Sequence, residues 1–121
     1  MEAYAFMQAA ATLFAVAALG GVLMAGMRFS GISRPPAWLA MGHGMVAVAG
    51  LTLLVYAATA YGLPAMAQIA LGLFVVAAIG GVGMNLLFHQ KQLSLPIPLM
   101  ILHASLAVGG FVLLLVSIFG R

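Results

Sequence analysis

The sequence predicts an all-α integral membrane protein in which four transmembrane helices form a duplicated two-helix hairpin. The first indication is composition: 66% of the 121 residues are hydrophobic and 4% are charged, whereas a soluble domain carries about 25% charged residues. The second is the presence of four apolar stretches, each long enough to cross about 30 Å of hydrocarbon. The third is an internal repeat with a period of 60 residues. This composition excludes a soluble enzyme and a disordered chain.

The four predicted spans are separated by residues that end helices or resist burial in lipid. The first loop contains two arginines and a Pro-Pro pair, the second is a short uncharged turn, and the third combines polar residues with two prolines. The predicted spans are Tyr4–Met27, Ala37–Ala60, Leu63–Phe88 and Ile97–Phe119. We expect the first span to remain in the mature chain, because Glu2 replaces the basic segment that precedes a cleavable signal sequence.

The positions of the basic residues predict the orientation of the chain. Arg28 and Arg34 lie in the first loop and Lys91 lies in the third, whereas the middle turn is uncharged. Short loops that carry Lys and Arg remain in the cytoplasm. We therefore expect loops 28–36 and 89–98 to be cytoplasmic in a bacterial inner membrane, with both termini on the opposite side.

An internal duplication determines the predicted architecture. Residues 10–58 align with residues 70–118 without a gap and with 18 identities in 49 positions, among them Pro36 with Pro96 and His43 with His103. Each copy contains two spans, so both copies insert in the same orientation and the pseudo-two-fold axis runs along the membrane normal. The predicted repeats are hairpins 1–60 and 61–121, which together form one four-helix bundle.

Matched residues of the two copies fall on one face of each helix. In the first and third helices they include Leu13, Ala17, Gly20 and Met24, paired with Leu73, Ala77, Gly80 and Met84. In the second and fourth they include His43, Ala47, Gly50 and Leu54, paired with His103, Ala107, Gly110 and Leu114. Spacing of i, i+4, i+7 and i+11 is one helical stripe. We expect this face to point inward, since the lipid-facing surface needs only to be apolar.

The residue inventory excludes several kinds of chemistry. The chain has no cysteine, which excludes disulfides, thiolate metal sites, iron–sulfur clusters and covalent haem attachment. Glu2 is its only acidic side chain, so catalysis by paired carboxylates and an acidic proton relay inside the membrane are excluded as well. Four basic residues do not form the clustered face that nucleic-acid binding requires.

His43 and His103 are the main functional candidates. Each lies seven residues after the proline that opens its helix, which is about 10 Å of helical rise and places both at the same depth in the hydrocarbon. An unpaired polar group at this depth is costly and indicates a function. Two imidazoles related by a two-fold axis can ligate one centre from both sides, as the axial ligands of a b-type haem do.

The remaining predicted cofactor contacts lie on the same inward stripes and at the basic end of the bundle. Glycines leave room for a flat macrocycle, methionines border it, and cations are placed to bind its propionates. These residues are Gly20, Gly21, Met24, Gly50, Gly80, Gly81, Met84 and Gly110, with Arg28, Arg34 and Lys91 as the cations.

Other interpretations of the same residues remain open from the sequence. Met24 and Met84 could complete a Cu(I) site with the two histidines, because thioethers select that ion. The histidines could also only hydrogen-bond between helices, and the glycines could be simple packing contacts. His89 occupies a polar loop segment and its counterpart in the first copy is Phe29, so we expect it to be a solvated loop residue.

Four spans with inward His43 and His103, faced by glycines, resemble small b-type membrane cytochromes of the cytochrome b561-like architecture. The resemblance covers the arrangement of all four spans rather than a sequence motif. Those cytochromes place two histidines on one helix or use four to hold two haems, whereas this chain has two within its spans. The resemblance implies one haem per chain or per pair of chains. It also implies an electron-transfer role, with a quinone or another membrane redox protein as partner.

A second function class also agrees with the sequence. The small size and the many small residues at helical spacing favour a non-catalytic accessory or assembly subunit of a larger membrane complex, or a homo-oligomer. In that case the histidines contribute only packing and hydrogen bonds. A small transporter or channel is the least favoured class, because few polar residues lie between the membrane interfaces.

Overall fold

The computed structural model describes residues 2–120 and consists of four long antiparallel helices; Met1 and Arg121 lie outside the described residues. The α-helices are α1 Glu2–Phe29, α2 Ala37–Ala60, α3 Ala65–Met84 and α4 Ile97–Phe119. Each of the four spans is long and apolar enough to cross a membrane. The predicted fold class, an all-α four-helix membrane protein, is confirmed.

The third span differs from the prediction at both ends. It begins at Ala65 rather than Leu63, because Pro64 disfavours helical dihedrals at the residue before it. After Met84 the α-helix changes into one π-helical turn, Asn85–His89. Backbone bonds five residues apart mark this turn and its exit, namely Gln90 N to Asn85 O at 2.8 Å and Leu93 N to Phe88 O at 2.9 Å. The π turn changes the direction of the polar side chains that follow.

Prolines and two glycines set the loops between the helices. Pro36 and Pro96, which are matched in the two copies, cap the starts of α2 and α4, where the missing proline N–H would have no helical partner. Gly31 and Gly62 have φ angles of 104° and 80°, in the left-handed region that favours glycine. These residues make short loops possible, so consecutive helices lie side by side.

The buried core occupies the half of the bundle that contains the termini and the 61–64 turn. Its members are apolar residues of all four helices and of that turn: Met7, Ala10, Ala11, Phe14, Leu54, Ala57, Leu63, Ala67, Ala70, Phe74, Leu114 and Ile118. At its centre Phe14 and Phe74 stack across the pseudo-two-fold axis, with ring centroids 3.9 Å apart and an interplanar angle of 11°. This pair joins the two hairpins.

Gly50 and Gly110 allow each hairpin to close tightly. A Cβ on Gly50 would lie 3.2 Å from Phe14 Cε1 and 3.3 Å from the backbone oxygen of Ala10. A Cβ on Gly110 would lie 3.3 Å from Phe74 Cε1 and 3.3 Å from the oxygen of Ala70. Because backbone atoms cannot move aside as easily as side chains, a larger residue would separate the helices.

The half of the bundle near the long loops is filled less completely. None of the helical residues in ranges 18–29, 37–49, 78–89 and 97–109 is buried. The two hairpins are nevertheless linked at this end, because Arg28 Nε donates to Leu95 O at 3.0 Å and Leu95 N donates to Ser33 O at 3.2 Å. The bundle is therefore joined at both ends, and no helical residue is buried between the core and the loops.

Replacing Gly50 by alanine should destabilise the bundle by about 1–3 kcal/mol, the usual cost of overpacking a filled site. The matched control is Gly42→Ala on the same helix, where a Cβ meets nothing within 4 Å. Alanine there should be neutral or stabilising by up to about 1 kcal/mol, because it favours helix over glycine. Thermal unfolding in mild detergent measures both variants. A Gly50→Ala protein that melts at or above the temperature of Gly42→Ala would contradict the packing described here.

Candidate cofactor site

The two membrane-embedded histidines lie next to each other across the bundle. His43 on α2 and His103 on α4 have ring centroids 6.2 Å apart and an interplanar angle of 70°. Both side chains are half-buried. The seven-residue spacing from Pro36 and Pro96 gives them the same depth, and the inward stripe turns them toward each other.

Each imidazole is fixed by one hydrogen bond to the neighbouring helix of its own hairpin. His43 Nδ1 lies 2.7 Å from Ala17 O, and His103 Nδ1 lies 2.7 Å from Ala77 O. A carbonyl oxygen only accepts hydrogen bonds, so Nδ1 must carry the proton in both rings. In the neutral ring, Nε2 then keeps its lone pair. The two histidines therefore share the tautomer in which Nε2 can bind a metal.

Gly21 and Gly81 make the room for these rings. A Cβ on Gly21 would lie 3.2 Å from His43 Cε1, and a Cβ on Gly81 would lie 3.0 Å from His103 Cε1. Each glycine follows its carbonyl partner by four residues and so lies one turn further along the same face. The sequence predicts that these two glycines leave room for a macrocycle. In the structure the space beside them is occupied by the imidazole rings.

The other predicted contact residues occupy several environments. A Cβ on Gly20 would lie 3.7 Å from His43 Cβ, whereas a Cβ on Gly80 would meet nothing within 4 Å. Gly80 and His103 line an apolar cavity of about 210 Å³ between α3 and α4. Met24 and Met84 are half-buried at matched positions on the loop side of the histidines. Gly50 and Gly110 lie in the core, against Phe14 and Phe74.

The predicted cations also separate into different environments. Arg28 bonds to Leu95 O and holds the hairpins together at the loop end. Arg34 lines a larger cavity at the same end, and Lys91 is exposed. His89, expected to be a solvated loop residue, is half-buried and bonds through Nε2 to Pro35 O at 2.8 Å.

The distance between the two ring centroids is close to that of two imidazoles bound to one metal ion. Two metal–nitrogen bonds of about 2 Å, with about 1 Å from each nitrogen to its ring centre, give a centroid separation of about 6 Å. The observed value is 6.2 Å. Within residues 2–120 no group of three or more His, Cys, Asp or Glu could complete a four-ligand metal site. If a metal centre binds here, His43 and His103 would be the residues that hold it, and a b-type haem is the centre that would need no further ligand from the protein.

The packing of the bundle changes at the level of the histidine pair. Phe14 and Phe74 precede Ala17 and Ala77 by three residues, so their stacked rings lie about one turn below the histidines. On the other side, Gly20, Met24 and Met84 are half-buried and Gly80 is exposed. The pair thus lies between the buried core and a layer in which no helical residue is buried.

Three parts of this arrangement were not predicted from the sequence. Phe14 and Phe74 are identical in the two copies and could have been recognised from that match. The Ala17 and Ala77 carbonyls carried only an indirect signal, because both alanines lie on the repeated stripe one turn before a glycine. The π turn at Asn85–His89 has no signature in the hydrophobic pattern.

The hydrogen bonds predict the tautomers of all three histidines. His43 and His103 should be protonated at Nδ1 and His89 at Nε2, because each of these nitrogens faces a backbone carbonyl. Nitrogen-15 NMR of histidine-labelled protein at neutral pH distinguishes the two forms. Three identical tautomers would contradict the structure.

Gly81→Ala should displace the His103 ring, since the added Cβ would lie 3.0 Å from Cε1. We expect the Nδ1 resonance of His103 to lose the shift of a short hydrogen bond while that of His43 keeps it. Gly80→Ala is the control, because its Cβ meets nothing within 4 Å. Equal spectra for the two variants would show that Gly81 does not position the ring.

Comparison of the chain with protein-family models, curated proteins and solved structures finds no match in any of the three. The geometry of the histidine pair is therefore the basis for assigning a function.

Proposed function

We propose that this protein is a membrane-embedded electron-transfer protein that binds one b-type haem between His43 and His103. The observation that carries the proposal is the pair of imidazoles 6.2 Å apart, each with Nδ1 bonded to a carbonyl and Nε2 available. When bound, the haem supplies reversible one-electron chemistry between its ferric and ferrous forms. The proposed site resembles those of cytochrome b561-like proteins in using inward histidines of four spans, but it differs from them in taking one histidine from each of two helices.

The protein contributes the orientation of the ligands. The Ala17 and Ala77 carbonyls hold the rings in one orientation and one tautomer, as second partners of metal-bound histidines do. Gly21 and Gly81 allow the rings to reach those carbonyls. Little ordering of the ligands is then needed on binding, which favours affinity.

Three threonines of the spans are hydrogen-bonded within their own helices. The hydroxyls of Thr12, Thr52 and Thr59 each donate to the carbonyl four residues earlier in their own helix. Such bonds satisfy each hydroxyl within its own helix, so the hydroxyls need no partner on another helix. They provide no continuous polar lining of the kind a conduction pathway requires, which favours a redox role over transport.

The depth of the site supports an exchange of electrons on one side of the membrane. The histidines lie in the first third of α2 and of α4, near the loops that carry Arg28, Arg34 and Lys91. We propose that these loops face the cytoplasm of a bacterial inner membrane. A quinone or another membrane redox protein would then exchange electrons near this interface, and one haem does not form a path across the bilayer.

Absorption spectra of protein purified in mild detergent from haem-supplied cells test the proposal. The wild type should show a Soret band and, after dithionite reduction, the sharp α band of low-spin haem with two histidine ligands. His43→Ala and His103→Ala should each abolish this spectrum, because either change removes an axial ligand. His89→Ala is the control and should retain it.

Two results would contradict the haem site. A colourless wild type that is helical and monodisperse would favour the alternative of a non-catalytic accessory subunit. A low-spin spectrum in both single variants would show that these histidines are not the axial ligands.

A further inference from the structure

A second cavity, of about 690 Å³, lies at the loop end of the bundle, outside the histidine pair. The first loop and the start of α2 form one wall, and the π turn with the residues after it forms the other. Its polar lining includes Arg34, Asn85, His89 and Gln92, and its apolar lining includes Met27 and Met41. The cavity thus combines hydrogen-bond donors at the membrane interface with an apolar wall from the ends of α1 and α2.

Apart from Arg34, the polar side chains of the lining come from the segment where the second copy departs from the first. His89, Gln90 and Gln92 occupy the positions of Phe29, Ser30 and Ile32 in the repeat. The π turn ends at His89, and Gln92 has a φ of 58°, which non-glycine residues rarely adopt. Single π turns are frequent at functional sites. The structure therefore departs from its internal symmetry where this cavity forms.

Arg34 gives the cavity a positive charge that the chain does not neutralise. The only acidic side chain, Glu2, begins α1 at the opposite end of the bundle. Arg28 and Lys91 add further positive charge to the loop end. A guanidinium beside hydrocarbon is stabilised by an anion, and its planar fork matches the oxygens of a phosphate.

Neutral donors surround this charge. Gln90 Nε2 donates to Asn85 Oδ1 at 2.9 Å, which leaves the amide nitrogen of Asn85 and the side chain of Gln92 available. Ala37, the first residue of α2, also lines the cavity, and the first backbone N–H groups of a helix have no helical acceptor. A phosphate accepts more hydrogen bonds than one guanidinium donates to it, and these neutral donors supply the others.

We propose that this cavity binds the phosphate headgroup of an anionic phospholipid, with Arg34 as the main contact. The position at the ends of the spans places the polar wall at headgroup depth and Met27 and Met41 toward the acyl chains. Basic pockets between transmembrane helices on the cytoplasmic side bind such lipids, and that leaflet is rich in them. The site is separate from the histidine pair and does not depend on bound haem.

Native mass spectrometry of the purified protein with phosphatidylglycerol or phosphatidylcholine tests the proposal. The wild type should retain one phosphatidylglycerol in preference to phosphatidylcholine. Arg34→Gln should reduce retention of phosphatidylglycerol about tenfold, the effect of losing one charge-assisted bidentate contact. Arg34→Lys keeps the charge but not the fork, so its retention should be intermediate.

Lys91→Gln is the matched control. It removes the same charge from the same end of the bundle, but Lys91 does not line the cavity, so retention should change by less than about twofold, the effect of a screened surface charge. Equal losses in Arg34→Gln and Lys91→Gln would overturn the site in favour of general surface electrostatics. Equal retention of the two lipids would overturn it as well.

Two further measurements identify the source of the phosphate and separate this site from the haem. If inorganic phosphate raises the melting temperature as much as phosphatidylglycerol does, or if a naphthoquinone displaces the lipid, the lipid assignment is wrong. Retention by His43→Ala should equal that of the wild type. If Arg34→Gln lowers haem content and leaves lipid retention unchanged, Arg34 contacts the haem propionates and the lipid site is refuted.

Discussion

An imidazole inside hydrocarbon must hydrogen-bond its N–H, because no water is present to do so. In this protein His43 and His103 meet that requirement with the carbonyls of Ala17 and Ala77, each at 2.7 Å. The helical carbonyl already accepts one bond and has a second lone pair for the imidazole. The bond requires the ring to lie against the neighbouring helix, and Gly21 and Gly81 leave room for it there, since a Cβ would lie 3.2 Å and 3.0 Å from the two imidazole Cε1 atoms. The pairing of α1 with α2, and of α3 with α4, thus sets the position of the rings.

The layer of the two histidines divides the bundle into two halves that are held together by different interactions. In the half that contains the 61–64 turn, Phe14 and Phe74 stack, and Leu54 and Leu114 are fully buried. Dispersion contacts therefore hold the hairpins together there. In the half near the two long loops, the hairpins are joined by hydrogen bonds rather than by packed side chains. The histidines thus lie at the boundary between a half with a buried core and a half in which no helical residue is buried.

The residues that repeat in both copies and the residues that differ between them lie in different parts of the bundle. The histidines, their carbonyl partners and the stacked phenylalanines are the same in both copies, and the two rings of each pair lie next to each other across the axis. The loop ends differ, since the residues there face an interface rather than the axis. The π turn at Asn85–His89 occurs in the second copy only. It forms one wall of the cavity beside Arg34, and the first copy forms the other wall. The repeated residues therefore mark the proposed haem site, and the unrepeated ones mark the proposed lipid site.

The sequence by itself determined the membrane location, the number of helices, the exact bounds of α2 and α4, and the equal depth of His43 and His103. These follow from hydropathy, proline positions and the 60-residue repeat, which are properties of neighbouring residues along the chain. Only the tertiary structure decided that Gly50 and Gly110 contact Phe14 and Phe74, that Ala17 and Ala77 bond to the imidazoles, and that a cavity opens beside Arg34. Those contacts depend on the crossing angles and separations of helices, and many apolar sequences with the same periodicity permit different values.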